Sequence, residues 1–185
     1  MTMGDTGGDT GRDVTGLLLD PTFRDAIDGR EFRDAMASLA ASACVVTARE
    51  GAERLGRTVT AVLSLSADPP AILISIDADS ALAAAIRACG GFSLAILADN
   101  QRDIADAFAG GEHAERRFGF GTWRDWPSGH PQLAGAVATL DCAVIGEIAT
   151  ASHVLFAGGP QGIEIDGTKG PLIWHDRRYK TGVSL

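Results

Sequence analysis

A chain of 185 residues with 45 % hydrophobic composition has the size and apolar content of one domain with a substantial core. A formal net charge of −8 without a long basic run argues against a nucleic-acid or anionic-membrane surface, and no apolar run approaches the roughly 20 residues of a membrane span. Cys44, Cys89 and Cys142 are odd in number and far apart, with no CxxC spacing and no Cys/His cluster, so neither a disulfide framework nor a metal site is expected. Reduced cysteines in a cytoplasmic protein fit best, and the first residues lack the basic-then-apolar order of a signal peptide.

Residues 1–16 are polar and glycine-rich, and read as a disordered lead to a single domain over 17–185; the alternative is an arm that orders over a partner subunit or the active site. Asp28 to Glu31 has the form of a capping box. After it, Phe32, Ala35, Met36 and Leu39 recur at helical spacing, which predicts a helix with one buried stripe. Cys44 to Ala48 reads as a strand and Arg49 to Gly56 as a charged turn. Ala71 to Ile76 is an apolar strand. Ser80 caps a second helix over Ala81 to Cys89, which Gly90 and Gly91 end. Phe92 to Ala98 is another strand, and Asp99 or Asn100 opens a third helix in which Ile104, Ala107 and Phe108 share a face. Glu112 to Trp126 is charged and aromatic, a poor core element. Ala134 to Thr150 reads as one or two strands, with shorter ones at Val154 to Ala157, Gly162 to Ile165 and Pro171 to Trp174. Strands and helices do not alternate, which disfavours a doubly wound sheet and predicts a mainly β fold: an antiparallel barrel with peripheral helices.

The segment from Gly56 to Pro70 is the most informative. Read as one strand, Thr58, Thr60, Val62, Ser64 and Ser66 share a face, and Val59, Ala61, Leu63 and Leu65 share the other. Small hydroxyls on an otherwise uncharged strand suit a flat, polar-edged ligand with a phosphate tail, although a hydroxyl-rich edge strand needs no ligand. Pro69 and Pro70 then stop the pairing.

This stretch resembles the flavin-binding strand and loop of the short-chain flavin reductases, the reductase components of two-component flavin monooxygenases. Phe32 to Leu39 is similar to that family's N-terminal helix, and Phe92 to Leu97 followed by Gln101 to its next strand and helix start. Arg117-Phe118, Gly135 through Cys142, Ser152-His153 and Arg177-Arg178-Tyr179 follow in the family's order, so the resemblance covers roughly residues 30 to 180. Reductases serving 4-hydroxyphenylacetate-type hydroxylases are the nearest subgroup. The resemblance implies an antiparallel split barrel that binds FAD or FMN, takes NADH or NADPH as hydride donor, forms a homodimer with the flavin near the interface, and supplies a separate monooxygenase.

It also implies site residues. Thr58, Val59, Thr60 and Ala61 would meet the isoalloxazine edge, and Ser64, Leu65 and Ser66 would lie toward the ribityl and phosphate. Ser80, at a helix N-terminus, is a second phosphate candidate, or simply a cap. Gln101 is either a flavin contact or a solvated helix residue; Phe118 stacks on a cofactor or packs in the barrel; Arg177, Arg178 and Tyr179 steer a phosphate or line the cleft, or form a solvated basic end with one buried aromatic. His153 is the candidate catalytic group, placed to stabilise negative charge on reduced flavin. In the family this histidine follows Gly-Asp or Gly-Thr, whereas here it follows Ala151-Ser152. A second departure is Ala157-Gly158-Gly159-Pro160, where relatives continue a strand; it must bend or bulge. His113, His130 and His175 read as loop or structural residues.

There is no Rossmann fingerprint: Gly119-Phe120-Gly121 and Gly158-Gly159-Pro160 do not fit it. Hydride transfer to a flavin needs little acid–base machinery, so the shortage of catalytic motifs agrees with a reductase. Two alternatives share the residues: a flavoprotein that retains its flavin and passes electrons to a corrinoid or metal centre, and a non-catalytic flavin- or haem-binding barrel.

Overall fold

The computed structural model describes residues 27–110, 114–150 and 152–182. The lead over 1–16 lies outside the described residues, as do His113 and Ala151. The chain runs α1 (Gly29–Ala37), β1 (Ala41–Ser42), β2 (Cys44–Glu50), β3 (Glu53–Val59), β4 (Val62–Ala67), β5 (Pro70–Asp77), α2 (Ala81–Cys89), β6 (Gly91–Ile96) and α3 (Arg102–Phe108). A 3₁₀ turn (Ala114–Gly119) follows, then β7 (Trp123–Asp125), β8 (Pro131–Leu133), β9 (Ala138–Ala149), β10 (His153–Ile165), β11 (Leu172–His175) and β12 (Arg178–Thr181).

Seven strands form one sheet in the order β3-β2-β6-β9-β10-β5-β4, with every pairing antiparallel. β3 and β4 stand at opposite ends of that order, yet only Thr60 and Ala61 join them. Two residues reach about 7 Å. The sheet therefore curls until its ends meet, giving a barrel left open along the β3–β4 seam. The expected continuous strand from Gly56 to Ser66 is thus two strands, because the chain has to change sheet edge at Thr60-Ala61.

β2 is buried on both faces, as its run of apolar residues requires. Cys44, Val46 and Ala48 pack with Leu82, Ala83 and Ile86 of α2, while Val45 packs with Ile104, Ala105 and Phe108 of α3. α2 has the expected ends: the Ser80 hydroxyl oxygen accepts from the Ala83 N–H at 3.2 Å, and Gly90 closes the helix in the left-handed region at φ 72°.

Four other expectations are corrected. The apolar stripe of α1 is not buried: Phe32, Met36 and Leu39 are 52 %, 49 % and 65 % exposed. No described element covers it, and the helix is held instead through polar contacts, Arg177 with Asp34 and the Asp176 N–H on the Ala37 carbonyl. Arg49 to Gly56 is mostly strand, since β2 and β3 form a hairpin that turns at Gly51. The two short strands after His153 are one, β10, with irregularities between Ala157 and Gly158 and between Pro160 and Gly162. Gly158 is needed there because a Cβ would sit 2.5 Å from the Phe92 ring. Finally, Phe118, Phe120 and Trp123 of the charged aromatic segment pack against the core around α3.

Candidate functional site

The barrel seam opens into a cleft of about 830 Å³. Its walls are β3, the Thr60-Ala61 link, the end of β5, the start of α2, the 3₁₀ turn and His153. The volume is in the range of sites that hold small ligands and cofactors. Both strands that border the seam are sheet edges, so backbone donors remain open. Among the described residues neither the Thr60 nor the Ala61 N–H has an acceptor, although their carbonyls accept from Val62 and Ser75. The N–H groups of Ala81 and Leu82, at the start of α2, are also without acceptors. Four backbone donors on two walls of one cleft match a flat ring with carbonyl and nitrogen acceptors and an anionic tail.

Thr58, Val59, Thr60, Ala61, Ser80, Phe118 and His153 all line this cleft. Their side chains are not equally available. Thr58 donates its hydroxyl to the Ala105 carbonyl at 2.7 Å, so it ties β3 to α3. Ser80 donates to the Asp77 carbonyl and accepts from Ala83, so its cap role is filled and the helix offers backbone rather than hydroxyl. Phe118 sits edge-on to Phe108 and Trp123 at 5.1 and 5.0 Å between centroids, and carries the Arg54 guanidinium on its face at 4.5 Å.

His153 begins β10 opposite Asp77. Its backbone is fixed by Thr150, whose hydroxyl donates to the His153 carbonyl at 2.8 Å and accepts from its N–H at 3.1 Å. The Ser152 hydroxyl lies 3.0 Å from Nδ1. A hydroxyl donating there keeps the ring proton on Nε2, which has no partner among the described residues.

The other candidates do not line this cleft within one chain. Ser64, Leu65 and Ser66 lie beyond the seam on β4, where a register shift between Ser64 and Ser66 breaks the alternation assumed for one continuous strand. Gln101 is buried and bridges backbone, its Oε1 accepting from the Ala98 N–H and its Nε2 donating to the Ala134 carbonyl. Arg178 and Tyr179 belong to β12 in the separate three-stranded sheet. Tyr179 packs edge-on to Trp174; burial, then the Asp106 carboxylate, push its phenol up to about 12.

Sequence reasoning missed the arginines. Arg54, Arg57 and Arg117 gather at the β3 end of the cleft. Arg117 donates to the Gly56 carbonyl and sits over the Phe108 ring at 5.9 Å. Partial burial and then the Arg57 charge lower its basicity, with Glu115 opposing. Only the packing of the 3₁₀ turn on β3 unites these residues, and no local pattern announces it. Among the described residues no group of three or more His, Cys, Asp or Glu could hold a metal.

Residues 36–182 match the family model described as a flavin reductase like domain. The chain is 35 % identical over 165 residues to an NADH:riboflavin 5'-phosphate oxidoreductase of Streptomyces pristinaespiralis, covering 88 % of this chain and 93 % of that one. Its fold is similar to the NADH:FAD oxidoreductase SgcE6 of Streptomyces globisporus, with a TM-score of 0.79, 25 % identity and coverage of 91 % and 99 %. It is also similar to BorF, the flavin reductase component of a bacterial two-component tryptophan halogenase, with a TM-score of 0.76, 26 % identity and coverage of 83 % and 98 %. A split barrel with its seam open between two edge strands, together with a family match over most of its length, places this chain in the flavin reductase-like family.

Proposed function

We propose that the protein is an NAD(P)H:flavin oxidoreductase that reduces FAD or FMN and supplies the reduced flavin to a separate flavin-dependent monooxygenase. The observation that carries this reading is the seam cleft, with open N–H groups at Thr60 and Ala61 on one wall and at Ala81 and Leu82 on the other. A bound flavin would supply the hydride-accepting chemistry. The chain's part is to hold and polarise. Val59 to Ala61 would hold the ring edge through backbone, the start of α2 would hold the phosphate, and His153, with Ser152 donating to Nδ1, would donate from Nε2 toward charge that develops on reduction.

The same reading covers one catalytic domain over 17–185, a cytoplasmic setting in which the free Cys44, Cys89 and Cys142 stay reduced, and a homodimer. The dimer is supported by an exposed apolar band beside the seam. Leu63 and Leu65 of β4, and Ile145 and Ile148 of β9, stand exposed, and the intervening β5 and β10 contribute Leu73, Leu155 and Ala157 in register.

Consumption of NADH and of NADPH by the purified protein, with FAD, with FMN and with no added flavin, tests the proposal. Turnover that depends on added flavin supports a diffusible-flavin reductase. Flavin binding without consumption of either donor overturns it.

A further inference from the structure

His153 opens β10 through an arrangement that an ordinary hairpin does not need. Where two antiparallel strands meet across a short connection, the closing pair of residues exchanges both backbone hydrogen bonds. Thr150 and His153, with Ala151 and Ser152 between them in sequence, share one such bond: the Thr150 N–H donates to the His153 carbonyl at 2.8 Å. The His153 N–H goes to the Thr150 hydroxyl at 3.1 Å, and the same hydroxyl donates to the His153 carbonyl at 2.8 Å. A threonine side chain thus takes the place of backbone at a residue that lines the cleft. The Ser152 carbonyl accepts from the Ala78 N–H at 3.0 Å, which ties the same connection to the loop that leads into α2.

The ring itself has one partner. The Ser152 hydroxyl lies 3.0 Å from Nδ1, and among the described residues it has no other acceptor. Asp77 stands opposite His153 in register, but its Oδ1 accepts from the Asp79 N–H at 3.0 Å and, among the described residues, it makes no bond to the ring. No carboxylate therefore selects the tautomer, and the choice falls to a neutral hydroxyl. A hydroxyl that gives its proton to one ring nitrogen leaves the ring proton on the other.

We propose that Thr150 and Ser152 are positioning residues for flavin reduction: Thr150 fixes where the His153 ring stands, and Ser152 fixes which ring nitrogen offers a proton to the flavin. This rests on the reductase reading, in which His153 meets the flavin in the cleft. Neither Thr150 nor Ser152 lines the cleft, so each acts through His153. Their effect falls on the hydride step, where charge develops on the flavin and a ring in the wrong tautomer meets it with a lone pair in place of a donor. Nucleotide binding by the backbone N–H groups of the seam and α2 is spared.

The test uses the full chain with Ser152→Ala, Ser152→Thr, Thr150→Val and Thr150→Ser. Stopped-flow flavin reduction gives the hydride step, and steady-state kinetics give donor and flavin KM. Long-range proton–nitrogen correlation spectra of the imidazoles, assigned with His153→Ala, give the His153 tautomer without turnover. Loss of one hydrogen bond corresponds to about a three- to ten-fold change in rate. The expected result for Ser152→Ala and for Thr150→Val is a hydride rate lower by that factor, with both KM values close to the parent's and recovery in Ser152→Thr and Thr150→Ser. The parent and Thr150→Val carry the ring proton on Nε2, and Ser152→Ala shows both tautomers. A ring proton on Nδ1 in the parent, or the parent hydride rate in Ser152→Ala, overturns the role of Ser152; the parent hydride rate in Thr150→Val overturns that of Thr150. A rate loss matched by a lower Tm and not recovered by the hydroxyl-bearing variants overturns both. In each of these results a parent that turns over leaves the reductase reading standing. A parent inactive with every donor and flavin defeats that reading itself, and this inference with it.

Discussion

Replacing Gly56 with alanine tests the way the cleft wall is built. Gly56 is buried in β3, where its carbonyl receives Arg117 and its Cα faces α3. A Cβ at this position meets Phe108 Cε1 at 2.6 Å, Phe108 Cδ1 at 2.9 Å and Thr47 Cγ2 at 3.0 Å. Phe108 is fully buried and pinned edge-on by Phe118, so its ring has no free space to enter. Overpacking of this kind costs about 1–3 kcal/mol. For a chain of this size each kcal/mol lowers Tm by about 2–4 °C, so a drop of about 2–12 °C is expected. Thermal unfolding followed by circular dichroism measures it. Gly119 is the control: nothing lies within 4 Å of its Cβ position and its φ is not in the left-handed region, so Gly119→Ala should leave Tm unchanged or raise it slightly. Adding Phe108→Leu to Gly56→Ala should cost less than the two changes summed, because the smaller side chain removes the clash. A Gly56→Ala protein with the parent Tm, or strict additivity in the double variant, would refute the close-packing argument for this wall.

His153→Ala should lower kcat for flavin reduction by about ten-fold or more while leaving Tm within a degree or two, since the side chain is exposed; stopped-flow reduction separates the hydride step from binding. His130 carries a pH dependence of stability. Burial first, and then the Arg49 charge, depress its pKa below 6.5, with Asp141 opposing, and its Nδ1 has no partner. The unfolded chain therefore binds the proton more readily, so this contribution is complete above pH 6.5 and is lost as pH falls toward the depressed value. Urea midpoints at pH 5 and pH 7.5 should differ more for the parent than for His130→Asn. Leu63→Glu combined with Ile148→Glu should convert a dimer to monomer in sedimentation experiments without lowering Tm of the monomer, because both side chains are exposed in the single chain.

Local chemistry was legible where it acts over a few residues. Ser80 and Gly90 bound α2 as expected because a hydroxyl cap and a left-handed glycine are decided within one turn. The irregularity at Gly158-Gly159-Pro160 was legible for the same reason, although the register shifts flank these residues rather than fall within them. The sheet order was not. Thr58 to Ser66 has the alternation of one strand, and nothing local shows that the chain leaves one edge at Val59 and joins the other at Val62. Seven of the candidate site residues meet at the cleft because they flank that crossing or close it from the far wall. Ser64, Leu65 and Ser66 lie outside the cleft because they come after that crossing, on β4. Gln101 also lies outside the cleft and bridges buried backbone, which a polar side chain at a helix start does as readily as meeting a ligand. The arginines stayed hidden because Arg54 and Arg57 sit in a strand with no local binding pattern, and Arg117 joins them at the cleft only through the packing of a separate segment on β3.

The seam itself links fold and function. An exposed sheet edge presents unpaired N–H groups, a liability that most barrels remove by closing. Here closure would pair β3 with β4 and eliminate the cleft in one step. Instead Thr60 and Ala61 carry the chain from one edge to the other, their carbonyls accepting from Val62 and Ser75, and α2 and the 3₁₀ turn contribute to the lining of the gap. The unsatisfied donors are then preordered by the rest of the sheet and need no rearrangement to meet a flat acceptor. Such a site requires few ionisable residues, since positioning and fixed dipoles carry the work that a hydride transfer asks of the protein. It also explains why no compact catalytic motif exists along this chain: the site's donors are backbone groups, and they become a site only when the two ends of the sheet are brought together without being joined.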